Sequence, residues 1–514
     1  MDKRTVIAVL LSLVILIGWQ MLFTPVPPMD PEHMQSISDN SVAAPAENNS
    51  ENLSSQTAAL DAALLGETPV VQLEEPAKVT TDKIEISFDK QNGDIRSASV
   101  LGWKDVDGDY VTFNKGEGFN YMRLITPVLS GYVMDVQDTQ SGKRVTFTAT
   151  SGDVTIVKEY NIPNDSYLVR ANVHVSNTGS VNLNIPVQVK IGPKLGEGFE
   201  ESVYVFEGAI ISNDDTTERV EADKSKTEEL AKPLWVGYTS KYFLFAAAGN
   251  DFATGSISPE NGGEVASASK SFVVNSGEKA SNGFDIYIGP KEYNNLRALG
   301  LGLQTSIDFG WFYFLAIPML QLMIFFYGFF HNYGMAIIFL TIVIKVITLP
   351  LTTKGMKSMK AMAKLQPEMA ALKEKFANEP QKMQAATMEL YKKHGVNPFS
   401  GCLPLLIQIP IFFALYKALL LAIELKGAPF FGWLVDLSEK DPYYITPIIM
   451  GVTMFIQQKM TPSTADPVQQ KIFLAMPIIF TFLFLNFPSG LVIYWLTNNV
   501  LSIIQQYYIN KKSA

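Results

Sequence analysis

Cysteine, histidine and, in one half of the chain, arginine are scarce, and each shortage excludes a class of site. Cys402 is the single cysteine among the 514 residues, so no disulfide can form within the chain. The four histidines lie far apart in the sequence, which is not the spacing of a metal site (His33, His174, His331 and His394). No glycine-rich phosphate loop occurs either, and we therefore expect no metal and no other cofactor.

Charge is distributed unevenly along the chain. Residues 306–514 contain no arginine, and there 17 lysines accompany 10 acidic residues, whereas residues 1–305 hold 24 basic and 40 acidic residues. An acidic part joined to a basic and very apolar part indicates two environments rather than one soluble globule. The basic part also carries most of the long apolar runs, which predicts several membrane-spanning helices.

One further apolar run lies at the N-terminus. Val6 to Phe23 is 18 residues long, follows Lys3 and Arg4, and is not followed by a small-x-small cleavage pattern. We interpret residues 1–23 as an uncleaved membrane anchor whose N-terminus is cytoplasmic. Residues 24–78 are rich in Pro, Ser, Asn and Ala, which predicts a disordered linker on the outer side.

Residues 79–305 show the alternation of apolar and polar residues that is typical of strands. Apolar residues recur at every second position in 84–88 and again in 145–149, and turn residues such as Asn92-Gly93 and Asn177-Thr178-Gly179 separate such segments. About 225 residues of this kind predict one large all-β sandwich outside the cytoplasm.

The lysine-rich segment 354–393 determines the number of spans. It carries nine lysines and four glutamates, so the positive-inside rule places it in the cytoplasm with the N-terminus. The adjoining runs 311–330 and 335–351 cannot then both cross, and Pro318 with many aromatic residues favours an interfacial position for the first. Six spans with both termini inside satisfy every loop. The predicted order is interfacial helix 306–332, second span 333–351, cytoplasmic helical hairpin 352–400, third span 401–424, outer loop 425–442, fourth span 443–459, inner loop 460–470, fifth span 471–486, sixth span 490–509 and tail 510–514.

Lys345 lies within the second span, where an ammonium at the centre of the bilayer costs ~3 kcal/mol. Thr341, Lys345 and Thr348 share one helical face, and this polar stripe predicts a wet recess. The alternative is that the lysine stem snorkels to the inner interface, roughly 9 Å away at ~1.5 Å per residue. Polar residues in other spans favour the recess: Gln408 and Lys417 in the third, and Thr497, Asn498, Asn499 and Ser502 in the sixth.

The cytoplasmic segment is rich in methionine, a soft and adaptable side chain that suits varied apolar guests. Helical spacing predicts two short helices joined near Asn378, with Pro367 and Pro380 in their first turns and Gly395 after the second. The alternative is that the methionines only pack the hairpin. They are Met356, Met359, Met362, Met369, Met383 and Met388.

Several of these segments resemble the YidC/Oxa/Alb insertase family, of the type found in Gram-negative bacteria. The string GCLPLLIQIPIFFALY at 401–416 is similar to the family's third span, and NFPSGLVIYW at 486–495 to the entry of its last span. Leu349-Pro350-Leu351 before the hairpin and Asp441-Pro442-Tyr443-Tyr444 before the fourth span match as well. The resemblance covers the whole chain.

The resemblance implies a five-helix insertase core in the inner membrane and a periplasmic β-supersandwich. It places the family's groove charge, commonly arginine, on Lys345, a groove-lining polar position on Thr341, and an aromatic groove position on Trp495. It also implies a function without enzymatic chemistry, as an insertase and folding chaperone. Its partners would be nascent membrane proteins, Sec translocon components, membrane lipids and the ribosome, with no sequence-specific nucleic acid.

The predicted substrate groove therefore consists of Lys345, Thr341, Thr348, Gln408, Trp495 and Asn498, with the six methionines as cytoplasmic contacts for guest or ribosome. Two other functions remain as alternatives. A secondary transporter would also place polar residues in the membrane, although such proteins usually show repeated halves and carboxylate relays. A membrane-tethered carbohydrate-binding protein would have its main function in residues 79–305.

Overall fold

The computed structural model describes residues 75–128, 131–199, 205–213, 217–219, 227–376, 379–396, 403–461 and 467–512. The predicted anchor at 1–23, most of the predicted linker at 24–78, and Cys402 lie outside this part. The chain divides into two compact units, one of residues 1–291 with 295–306, the other of residues 292–294 with 307–514.

The first unit is built from antiparallel strands in two sheets of nine strands each. In one sheet the order is β1-β2-β3-β5-β10-β17-β16-β13, with β4 paired to β3, and in the other it is β12-β11-β14-β15-β18-β9-β8-β7-β6. In chain order the strands are β1 Ala77–Thr80, β2 Ile84–Phe88, β3 Ile95–Lys104, β4 Tyr110–Phe113, β5 Met122–Ile125, β6 Val133–Thr139, β7 Gly142–Ser151, β8 Val154–Pro163, β9 Leu168–Asn177, β10 Leu183–Ile191, β11 Gly208–Ser212, β12 Thr217–Arg219, β13 Glu228–Ala231, β14 Trp235–Thr239, β15 Phe243–Ala248, β16 Thr254–Glu260, β17 Gly263–Val274 and β18 Lys279–Pro290.

The alternation read from the sequence corresponds to the two faces of each strand. Ile84, Ile86 and Phe88 on β2 are fully buried, and so are Val145 and Phe147 on β7. Successive side chains of a strand point to opposite faces, so this period places every second residue in the core. The prediction of a large all-β sandwich is confirmed.

A buried lysine connects the two sheets of this unit. Lys158 on β8 is 2% exposed, and its Nζ donates to the carbonyl oxygens of Asn92 (2.7 Å) and Leu124 (2.5 Å). Asp94 lies 4.0 Å from the same Nζ and accepts a hydrogen bond from the Leu124 amide. Because Leu124 belongs to β5 of the other sheet, this Lys158–Asp94 clasp holds the two layers together.

Burial changes the protonation of both members of this clasp. It raises the pKa of Asp94 to about 6, and the positive charge of Lys158 opposes that rise only in part. It lowers the pKa of Lys158 to about 8, against the attraction of Asp94. A second buried lysine, Lys270, donates to Asp251 (2.9 Å) and to the Gly283 carbonyl (2.7 Å). Both lysines are thus surrounded by acceptors.

The helices follow the last strand. Within the described residues they are α1 Tyr293–Ala298, α2 Tyr313–Phe330, α3 Tyr333–Lys364, α4 Gln366–Lys375, α5 Pro380–Lys393, α6 Leu403–Leu421, α7 Ile445–Met460, α8 Pro467–Phe484 and α9 Ser489–Lys512. Among them, Gly310–Phe330 and Tyr333–Lys364 are long and apolar enough to cross a bilayer by length and composition. Shorter apolar helices are Ile407–Leu421 and Phe473–Phe484.

Helices α2 and α3 form a hairpin whose turn is at His331 and Asn332. His331 takes a left-handed backbone conformation (φ 50°), and the Asn332 side chain accepts a hydrogen bond from the Met335 amide to cap α3. Tyr327 stacks on Tyr333 at 3.9 Å between ring centroids. The interfacial position of α2 and the count of six spans stay predictions.

Helix α3 continues past the end predicted for the second span at Leu351. It runs 32 residues to Lys364 and includes Pro350. On either side of this proline, the hydroxyls of Thr348 and Thr352 donate to carbonyls of the preceding turn of the same helix. One helix therefore carries both the predicted span and the first part of the predicted cytoplasmic segment.

The hairpin that the sequence places in the cytoplasm is formed by α4 and α5. Pro367 and Pro380 lie in the first turns of these helices and Gly395 follows α5 at φ 64°, as predicted. The predicted joint near Asn378 falls outside the described residues. Leu365, Leu390 and Tyr391 form a small core, against which other apolar residues pack: Met362, Met369, Leu372 and Val396.

The loop between α6 and α7 fixes the starts of two helices. Asp441 is 1% exposed and accepts four hydrogen bonds of 2.7–2.9 Å, from the Trp433 indole, the Tyr443 amide, and the amide and hydroxyl of Thr446. Burial alone would raise the pKa of Asp441, but these donors hold it below its ordinary value. At the start of α9, the Ser489 amide and hydroxyl both donate to the Glu439 carbonyl at 2.7 Å.

Candidate functional site

The side chain of Lys345 reaches from α3 to the neighbouring helix α9. Its side chain is half-buried on α3, and its Nζ donates to the hydroxyl of Ser502 on α9 at 2.6 Å. The Ser502 hydroxyl in turn donates to the Asn498 carbonyl at 2.7 Å. Ser502 is 3% exposed, so the ammonium lies against a buried group rather than in bulk water.

Among the described residues, no carboxylate forms an ion pair or hydrogen bond with Lys345. The sequences of α2, α3, α6, α7, α8 and α9 contain neither Asp nor Glu. Within the part of the chain that the structure describes, the Ser502 hydroxyl is the one hydrogen-bond partner of the Lys345 ammonium. Since an ammonium carries three N–H donors, two of them remain for another acceptor.

A polar stripe on α9 connects this lysine with the third predicted span. Tyr494, Asn498 and Ser502 are spaced four residues apart and so share one face of the helix. The Tyr494 hydroxyl accepts a hydrogen bond of 2.8 Å from Gln408 on α6. The stripe thus faces α6 through Gln408 and α3 through Lys345, and we call Tyr494, Asn498 and Ser502 the α9 stripe.

Further contacts join α3 and α9 beyond Lys345. Gln505 donates to the hydroxyls of Thr352 (2.9 Å) and Thr353 (3.0 Å). Lys360 donates to the Asn510 carbonyl at 3.2 Å, close to the end of α9. From Lys345 to Lys360 the seam between the two helices therefore carries polar contacts, and among the described residues the Lys345 contact places a charge inside the apolar part of α3.

Two of the predicted groove residues donate their hydroxyl hydrogen bonds to the backbone of their own helix, α3. Thr341 is 1% exposed, and its hydroxyl donates to the Ile337 carbonyl at 2.6 Å. Thr348 is half-buried and donates to the carbonyls of Ile344 (3.0 Å) and Lys345 (3.2 Å). Thr341 is accordingly packed between helices and does not line an open surface here, because the hydroxyl of a threonine in a helix readily bonds the preceding turn.

Trp495 belongs to an aromatic cluster rather than to the α9 stripe. Its ring lies 5.1 Å from those of Phe412 and Phe484 and 6.4 Å from that of Phe480, measured between centroids. These residues come from α6, α8 and α9. The cluster forms an apolar contact between the third, fifth and sixth predicted spans, adjacent to the Gln408–Tyr494 hydrogen bond.

The six methionines of the predicted cytoplasmic segment fall into two groups. Met356 is 8% exposed, and Met362 and Met369 pack against the core of the hairpin. Met388 is 43% exposed, while Met359 and Met383 are half-buried. Packing therefore accounts for half of the methionines, and Met388 is the most open to a partner.

Sequence reasoning does not identify two residues of this site. Tyr494 lies within an aromatic string, and Ser502 is one of several polar residues of the sixth predicted span. A four-residue period of polar groups on α9 is the signal that could have found them. Among the described residues, no group of three or more His, Cys, Asp or Glu side chains could hold a metal ion.

Both units match families of known proteins. Residues 77–322 match the YidC periplasmic domain, and residues 325–514 match the 60Kd inner membrane protein family. The membrane protein insertase YidC of Geobacter sulfurreducens is 40% identical over 99% of this chain and 98% of its own length. That of Syntrophus aciditrophicus is 38% identical, with 100% of each chain covered.

Solved structures of similar proteins include an active YidC insertase with its first transmembrane domain resolved. It is 21% identical, with 85% of this chain and 93% of that chain covered and a TM-score of 0.39. YidC from Thermotoga maritima is 17% identical, with 84% and 98% covered and a TM-score of 0.32.

Proposed function

Because this chain belongs to the YidC family of membrane protein insertases, we propose that it inserts nascent membrane proteins into the bilayer through a polar site around Lys345. The site comprises Lys345, Gln408 and the α9 stripe. It acts by attraction and partition, and no covalent step is needed.

The observation that carries this proposal is the incomplete hydrogen bonding of Lys345. A charge in an apolar helix is costly unless it is paired, and here one neutral hydroxyl is its partner within the described residues. A lysine with two spare N–H donors attracts an acceptor from outside the protein. The hydrophilic and acidic outer tail of a membrane protein supplies such carboxylates.

Insertion then follows in two steps. The tail enters the polar site between α3, α6 and α9, so that its path through hydrocarbon becomes shorter and its carboxylates meet the Lys345 ammonium. The apolar segment of the guest leaves sideways between α6 and α8 into lipid. Partition of that segment drives the process, and the membrane potential adds ~2.3 kcal/mol per acidic charge at 100 mV.

The same proposal assigns the topology and the partners. Six spans with both termini inside place the hairpin of α4 and α5 in the cytoplasm, where Met388 and the lysines of this segment meet the emerging guest or the ribosome. The sandwich of β1–β18 lies on the outer side. The protein works alone or beside the Sec translocon, and also assists folding of the inserted segments.

The test replaces Lys345 in cells depleted of their own insertase. A hydrogen bond to a charged group is worth ~2 kcal/mol, so Lys345→Ala should lower insertion of a guest with an acidic tail by more than about tenfold. Lys345→Arg keeps the charge and should support near-normal insertion, although guanidinium geometry differs.

Lys417 provides the matched control. It is a second lysine in an apolar helix, and although the sequence suggests it for the recess, it lies nine residues beyond Gln408 and four residues from the end of α6 at Leu421, from where its stem reaches the interface. Lys417→Ala should leave insertion unchanged. Full rescue of the depleted cells by Lys345→Ala would contradict the proposed site.

A further inference from the structure

We infer that Ser502 is a positioning residue for Lys345: it fixes the ammonium within the polar site and leaves two N–H donors directed to a guest carboxylate. This inference rests on the proposed function and names a residue outside the predicted groove. Its evidence is the chain of contacts from Lys345 through Ser502 to the backbone of α9.

The directions of these hydrogen bonds follow from the groups involved. An ammonium can only donate, so the Ser502 oxygen accepts from Lys345 over 2.6 Å. The single hydroxyl proton of Ser502 is then donated to the Asn498 carbonyl over 2.7 Å. A hydroxyl that donates to a carbonyl becomes a better acceptor, so each bond strengthens the other.

Without the Ser502 hydroxyl, the Lys345 ammonium would occupy a different position. A lysine stem near the end of an apolar helix normally extends until its ammonium reaches water. Ser502 lies 3% exposed on the neighbouring helix and gives the ammonium an acceptor before it reaches water. Ser502 thereby converts a side chain that would snorkel into one that stays at the α9 stripe.

The role of Ser502 differs from that of the other contacts along the seam. Gln505, through Thr352 and Thr353, also joins α3 to α9, but it does not touch Lys345. Loss of the Gln505 contacts loosens the helix pair and leaves the ammonium anchored. The two residues therefore separate positioning of the charge from attachment of the helices.

The experiment measures insertion of two guests by the full-length protein in proteoliposomes. The guests differ only in the outer tail, which carries acidic residues in one and the corresponding amides in the other. Ser502→Ala removes the acceptor and should lower insertion of the acidic guest about tenfold, with little change for the amide guest. Ser502→Thr keeps a hydroxyl and should restore most of the rate.

Two further variants distinguish positioning from simple loosening. In Lys345→Ala protein, adding Ser502→Ala should have no further effect, because the residue acts through the lysine. Gln505→Ala should lower both guests equally and by a smaller factor. If Ser502→Ala lowers both guests alike, or adds fully to Lys345→Ala, the positioning role is wrong.

The inference and the proposed function fail in different ways. If Lys345→Ala itself leaves the acidic guest unaffected, the charge mechanism falls and the role of Ser502 with it. If Lys345→Ala is impaired while Ser502→Ala behaves as the unmodified protein, the charge mechanism stands and the positioning role is overturned. Should Ser502→Ala not accumulate in the membrane, Ser502→Cys has nearly the same volume and a weaker acceptor, and the same predictions apply.

Discussion

Lys158 of the β unit is buried and Lys345 of the helical unit is half-buried, and the two lysines differ in what surrounds them. In the β unit, Lys158 meets two carbonyls at 2.7 and 2.5 Å and a carboxylate at 4.0 Å. In the helical unit, Lys345 meets one hydroxyl at 2.6 Å. A buried charge with several acceptors around it stabilises a fold, whereas a charge that meets a single neutral hydroxyl is available to a ligand.

Lys270 is a second lysine of the β unit with several acceptors around it. Its ammonium donates to Asp251 and to the Gly283 carbonyl, so the β unit repeats the arrangement of a lysine surrounded by acceptors. Asp441 shows the same principle for an acid in the helical unit, since it accepts four hydrogen bonds. The contrast is therefore one of hydrogen bonding rather than of membrane against water.

The largest effect on stability should come from breaking the Lys158–Asp94 clasp. Lys158→Ala leaves a buried carboxylate without its cation, which typically costs ~3–5 kcal/mol. Urea unfolding of the β unit, followed by tryptophan fluorescence in the full-length protein, measures this. Lys345→Ala should leave the same transition unchanged. If Lys158→Ala leaves the urea unfolding transition unchanged, Lys158 does not stabilise the β unit.

The clasp also predicts an unusual pH dependence. The pKa of Asp94 is raised to about 6 in the folded protein, so the folded state holds its proton more tightly than the unfolded chain. Its stabilising contribution is present below its ordinary pKa of 3.8 and is lost as the pH rises through about 6. The whole change amounts to ~3 kcal/mol.

Lys158 contributes with the opposite sign at alkaline pH. Its pKa is lowered to about 8, so its contribution to stability is present above its ordinary pKa of 10.5 and is lost as the pH falls through about 8. Unfolding of the unmodified protein and of Asp94→Asn, compared at pH 7 and pH 4.5, checks the acid limb. The unmodified protein should gain relative to the variant at pH 4.5, and a relative loss would contradict the assignment.

Asp441→Ala tests the principle inside the helical unit. Four donors lose their acceptor, which should cost ~2 kcal/mol and lower the thermal unfolding temperature in detergent. Because the carboxylate is fully used in the loop, the variant should lower insertion of acidic and amide guests by equal factors. A selective loss of the acidic guest would assign Asp441 to guest recognition instead.

The smallest contrast concerns the methionines. Met362 packs on the hairpin core, so Met362→Ala should destabilise the hairpin by ~1 kcal/mol. Met388 is 43% exposed, and Met388→Ala should leave stability unchanged while lowering crosslinking of nascent guests to α5. Hydrogen exchange of α4 and α5 measures the first effect. If Met362→Ala and Met388→Ala show equal protection of α4 and α5 from exchange, the two methionines do not differ in their contribution to stability.

The sequence predicted the β unit because local patterns determine it. The period of two in β2 and β7, with turns at Asn92-Gly93 and after β9, is sufficient to recognise strands. The order of those strands in two sheets depends on contacts between distant segments, and no local pattern contains it.

The site was predicted in part for the same reason. Lys345 stands out because a charge is rare in an apolar run. Its partner Ser502 is 157 positions away, and a serine in a helix has many possible roles. Thr341 illustrates the converse, since its spacing on the face of Lys345 could not reveal that its hydroxyl is satisfied by Ile337.

The most direct test of the spare donors on Lys345 is an exchange of charge. Proteoliposomes containing the unmodified protein or Lys345→Glu receive matched guests whose outer tails are acidic or basic, and protease protection measures insertion. We predict that the unmodified protein prefers the acidic guest and that Lys345→Glu prefers the basic one, each by about tenfold. If Lys345→Glu lowers both guests by the same factor, Lys345 does not select its guests by charge.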